Sequence, residues 1–144
     1  MDRDESRRRT GSALFARLRE TFPMLTMEPT APPDGGIGLS IPEQPGLAFP
    51  IELRLQDDEM EIHAGDLHLA HMPWWEPAMR EEWFESVIGL LAGEYRIRET
   101  RSCGRTIMSE LQRPSSDGWQ SFLITCLVGV RPRRTRRRIL QNRP

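Results

Sequence analysis

Between Ile51 and His71 the chain alternates apolar and polar residues with period two. Ile51, Leu53 and Leu55 come first, then Met60, Ile62 and Ala64, then Leu67 and Leu69. That spacing predicts three strands, each with one buried and one wet face. Asp57-Asp58 and Gly65-Asp66 sit between the runs, where two-residue hairpin turns tolerate positive φ. The register follows: Leu55 faces Met60, Leu53 faces Ile62, Ile51 faces Ala64, and beyond the second turn Ala64 faces Leu67 and Ile62 faces Leu69. A slip of one residue would turn a strand inside out. On the polar face, Arg54 meets Glu61, and Glu52, His63 and His68 form one row.

The remaining pattern supplies two helices and more strands. Residues 1–11 read as a flexible polar N-terminus. Ser12 or Thr10 can cap a helix whose stripe is Leu14, Phe15, Leu18 and Phe22, stopped by Pro23. Prolines and Gly35-Gly36 exclude helix from Met24 to Pro50. Ile37, Leu39 and Ile41 alternate there as a short strand, with flanking prolines placing it at a sheet edge. Pro77 opens a second helix with Met79, Trp83, Phe84, Val87, Ile88 and Leu91 on one face, and Gly93 closes it. Strands follow at Tyr95–Arg101 and Thr106–Gln112. A three-residue turn, Ser102-Cys103-Gly104, pairs Tyr95 with Leu111, Ile97 with Ser109 and Arg96 with Glu110. Arg113–Gly118 reads as a loop. Trp119–Val130 is apolar on both faces, as in the middle of a sheet or at a covered seam. The prediction is an α+β domain over residues 12–130, a mainly antiparallel sheet from two strand meanders with both helices on one face. This order of elements resembles the layout of type III secretion chaperones, but ends in a strand and an Arg-rich tail instead of a closing helix.

Charge refines the picture. A net charge of −1 over 144 residues conceals a split. Residues 131–144 hold seven Arg and no acid, while residues 1–130 hold 13 Arg against 21 acids. Every basic side chain is Arg, which we read as compositional bias before selection for bidentate contacts. No apolar run reaches the ~18 residues of a membrane span, and the charged N-terminus lacks a secretory pattern. Cys103 and Cys126 have no metal-type spacing and read as free thiols, which fits a cytoplasmic protein. Arg101 and Arg105 beside Cys103 would lower an exposed thiol's pKa, but a hairpin turn is a poor enclosure for a nucleophile.

Catalytic motifs are lacking: there is no glycine-rich phosphate loop, G-x-S-x-G, HExxH or CxxC pair. The leading expectation is therefore a non-enzymatic, cofactor-free domain that binds another protein, a second copy of itself included. Trp74 and Trp75 would anchor the contact, and the edge at Ile37, Leu39 and Ile41 would accept a strand. The first alternative is nucleic-acid or acidic-partner binding through Arg131, Arg133, Arg134, Arg136, Arg137 and Arg138 in the tail. The second is a metal-dependent enzyme using Glu52, His63 and His68, whose donor types suit zinc or iron(II). Against the metal stand the solvent-facing side of the sheet on which this row falls and the lack of partners in the sequence to hold the imidazoles. His71 is nearby but falls on the opposite face.

Overall fold

The computed structural model of the protein describes residues 2–126 and 134–143. The chain opens with α1 (Arg3–Thr21), then β1 (Glu28–Thr30), β2 (Ile37–Ile41), β3 (Ile51–Gln56), β4 (Glu59–Ala64) and β5 (Leu67–His71). After α2 (Pro77–Leu91) come β6 (Arg96–Ser102), β7 (Arg105–Ser115), β8 (Gly118–Cys126) and β9 (Thr135–Leu140). The strands form two antiparallel sheets, ordered β1-β2-β3-β4-β5 and β8-β7-β6-β9. The α+β class holds, with two sheets where one was expected.

The β3–β5 meander has the register its alternation dictates, from Leu55 opposite Met60 to Ala64 opposite Leu67. Its apolar face is sealed: Ile51, Leu53, Leu55, Met60 and Ile62 have no exposure. Burying each such side chain stabilises the fold by about 1.5–3 kcal/mol. Both helices cover this face. Leu14, Phe15 and Leu18 come from α1, Trp83, Val87, Leu90 and Leu91 from α2, and all join one core. The Phe15 and Trp83 rings lie 6.5 Å apart. Gly93, at φ 72, ends α2 as expected.

Four expectations need correction. First, α1 begins at Arg3, so residues 3–11 are helical. Asp2 caps it, and Arg7 is buried against Asp4 and the carbonyl of Asp57. Second, β2 is not an edge. β1 pairs with its outer side, and Leu39 and Ile41 are fully buried. Third, the β6–β7 turn has two residues, Cys103 and Gly104, both at positive φ, with a bulge at Thr100/Arg101. The pairing shifts by two, so Ile97 faces Leu111 and Arg98 faces Glu110. An even shift keeps each side chain on its face, which is why alternation alone did not reveal it. Fourth, the loop at Arg113–Gly118 is a tight hairpin, with Pro114 opposite Trp119 and Ser115 opposite Gly118.

β8 borders its sheet, yet its other side meets β5: Thr125 Oγ1 donates to the carbonyl of His68 at 2.7 Å. The expectation of a mid-sheet strand or covered seam is not met beyond this contact: β8 is an outer strand, none of its residues is buried, and Ile124 is 54% exposed. Part of the Arg-rich tail is not an appendage, since Thr135–Leu140 is β9, paired with β6. Arg131 and Arg133 lie outside the described residues. No helix among the described residues is long and apolar enough to cross a membrane.

Candidate metal centre

The polar face of the first sheet holds the row expected there. Glu52 faces His63 across β3–β4, and His63 faces His68 across β4–β5. The two imidazoles stack, with centroids 4.2 Å apart and planes 19° from parallel. The Glu52 carboxylate turns the other way and accepts from Ser40 Oγ at 2.6 Å. The carboxylate between the imidazoles belongs to Glu61, two residues before His63 and on the same face. Its Oε2 lies 2.6 Å from His63 Nε2 and 3.6 Å from His68 Nε2.

Sequence reasoning placed Glu61 opposite Arg54, and the backbone register agrees. Its side chain nevertheless runs along its own strand to His63. Ala70 is opposite Glu61 on β5, so no bulky neighbour fills that side. A Glu and a His two apart on one strand, facing an Ala, was the available signal.

Glu61 is almost completely buried, whereas His68 is about half exposed. Burial pushes the Glu61 carboxyl pKa up. Hydrogen bonds from His63 and Gln56, with the field of both imidazoles, outweigh that and hold it below its ordinary value. Gln56 Nε2 donates to Oε1 at 2.8 Å. It thus fixes the carboxylate from behind and leaves Oε2 toward the histidines, the kind of outer support metal ligands need.

One ligand atom from each of Glu61, His63 and His68 lies within 4.8 Å of the others. A tetrahedral zinc ion with bonds of about 2.0–2.1 Å spaces its ligands by about 3.3 Å. The observed 2.6 and 3.6 Å contacts bracket that spacing. Small side-chain rotations would therefore admit an ion, with the fourth position facing solvent. Cavities of 670, 460 and 440 Å³ elsewhere are lined by other residues.

The other predicted residues are dispersed. Trp74 is a core plug whose Nε1 donates to the Asp57 carbonyl at 2.9 Å. Trp75 is 44% exposed, packs edge-on against Trp74 and carries the Arg3 guanidinium over its ring. Ile37 is half-buried. Arg134, Arg136, Arg137 and Arg138 lie on or beside β9, far along the chain from the histidines. Cys103 and Cys126 are exposed free thiols. No protein-family model, characterised protein or solved structure matches the chain.

Proposed function

We propose that this protein binds a divalent transition metal, zinc or iron(II), through Glu61, His63 and His68. The observation that carries this reading is the convergence of two imidazole nitrogens on one buried, Gln56-held carboxylate oxygen. Two neutral nitrogens and one carboxylate suit these metals, and three protein ligands leave a position for water or an incoming donor. When bound, the ion would supply Lewis-acid chemistry at that position. Glu61 sets the charge of the site, Gln56 orients it, and the exposed edge of His68 is the entry side.

Titrating zinc and cobalt(II) into the chelator-stripped full chain tests this. We expect one ion per chain and a tetrahedral cobalt spectrum. His68→Ala and Glu61→Gln should each weaken binding by at least about tenfold, as loss of a ligand would. Absence of stoichiometric uptake, or wild-type affinity in His68→Ala, refutes the reading.

A second reading, self-association or docking of another protein, is favoured by Trp75. It flanks a 460 Å³ hollow lined also by Arg3, Ser6 and Trp74. Sedimentation of wild type and Trp75→Ala tests the homodimer form, which requires that the variant shift toward monomer.

A further inference from the structure

On the second sheet, β6 and β9 set their charged residues in rungs. Glu99 is opposite Arg138, and Arg138 Nη2 donates to Glu99 Oε2 at 2.8 Å. The next rung on the same face puts Arg101 directly opposite Arg136. Like charges facing each other across a strand pair are destabilising. Arg134, two residues from Arg136, adds a third guanidinium. Among the described residues none of these three makes an ion pair within 4.0 Å. Arg101 spends one nitrogen on the Gly104 carbonyl, at 3.1 Å.

These three arginines, with Cys103 and Gly104, line the 670 Å³ cavity. The nearby acid, Asp66, lines the adjoining 440 Å³ hollow and is taken by Thr106 Oγ1 at 2.5 Å. Glu99, fully buried, is engaged by Arg138 and Thr106. Three guanidinium forks therefore border one open space, while Arg138 holds Glu99 Oε2 and the buried Glu99 Oε1 has no hydrogen-bond partner among the described residues.

We propose that this cavity is a binding site for a small phosphate-class anion, with Arg101, Arg134 and Arg136 as its clamp. Planar guanidinium forks match phosphate oxygens bidentately. A phosphate between Arg101 and Arg136 turns a repulsive rung into an attractive one. The acidic remainder of the chain disfavours a long polyanion, which points to a small phosphorylated molecule instead of a nucleic-acid strand.

The test is calorimetric titration of the full chain with pyrophosphate, inorganic phosphate and a single-stranded oligonucleotide at matched ionic strength. Saturable 1:1 binding of pyrophosphate is expected, weakened at least about tenfold in Arg101→Gln and Arg136→Gln, since each removes a charge-assisted contact. Arg9→Gln, on exposed α1 surface, should bind as wild type. Without anion, Arg136→Gln should melt no lower than wild type, because it relieves the Arg101–Arg136 repulsion. A lower anion-free melting point would show the arginine to be structural and overturn the proposal. So would pyrophosphate binding equally affected by all three variants, or binding of the oligonucleotide alone.

Discussion

The two sheets of this protein are held by different forces. In the first, β2–β5 present a largely apolar face to α1 and α2, with core side chains of zero exposure, while β1 is exposed along its length. In the second, β6–β9, Ile97 and Leu111 reach the same core, but most of the ties between strands are cross-strand polar pairs. Arg98 clamps Glu110 through two bonds of 2.7 and 2.8 Å, Arg96 Nε donates to Gln112, and Arg138 reaches Glu99. Arg96 also lies over the Trp119 ring at 4.2 Å. Apolar burial is non-directional and tolerates no gaps. Polar pairs are directional and respond to salt and protons. One sheet should therefore answer to cavities and the other to charge.

The largest effect belongs to the first sheet. Leu53→Ala, at a position with no exposure, should cost about 2–5 kcal/mol by denaturant unfolding. A cost below about 1 kcal/mol would show that the helices cover this face loosely. In the second sheet, Glu110→Gln should cost about 1–3 kcal/mol, since it unpairs a charge-assisted fork beneath Arg98. Arg98 and Ser121 hydrogen bonds hold the Glu110 carboxyl below its ordinary value of about 4.5, against the upward push of burial. Its contribution is then present above that pH and disappears as pH falls through the lower folded value. The Glu110→Gln cost should shrink accordingly in acid, measured as urea midpoint against pH.

A smaller proton effect belongs to the first sheet. Burial lowers the His71 pKa from about 6.5, with Glu82 opposing. The unfolded chain then takes up a proton that the folded chain resists, so stability falls as pH drops below about 6.5. His71→Gln should flatten that limb without altering the acid limb due to Glu110. If both limbs move together, the sheets unfold through shared electrostatics and the division above is wrong. The smallest effect is salt. The Arg138–Glu99 pair, half-exposed at the arginine and buried at the glutamate, is screened from one side only and should lose less than about 1 kcal/mol in 1 M sodium chloride. The Leu53→Ala penalty should not shrink under the same conditions.

Legibility followed the same division. In the first sheet, period-two alternation gave every pairing from Ile51 to Leu69, because one buried face leaves a single acceptable register. The helix stripes of Leu14, Phe15, Leu18 and of Trp83, Phe84, Val87 were equally plain. In the second sheet, an even shift of register leaves every β6 and β7 side chain on the face it would otherwise occupy, with Glu99 and Glu110 buried and Arg98 and Arg101 partly exposed. The β6–β7 bulge was therefore invisible. β9 was missed because TRRRIL has almost no apolar signal; it is a strand because β6 offers an open edge and Glu99 a buried carboxylate for Arg138.

The candidate site divides likewise. The sequence by itself determined that His63 and His68 face each other, since strand period and turn length place them opposite one another across β4–β5. The structure decided that Glu61, rather than Glu52, serves them. Register fixes which backbones are adjacent, but the direction a long side chain takes depends on what fills the space around it. Ser40 draws Glu52 away, Ala70 leaves room beside Glu61, and Gln56 holds the Glu61 carboxylate in place. The pairing of Arg101 with Arg136 depends on residues brought together from distant parts of the chain, and no local pattern encodes it.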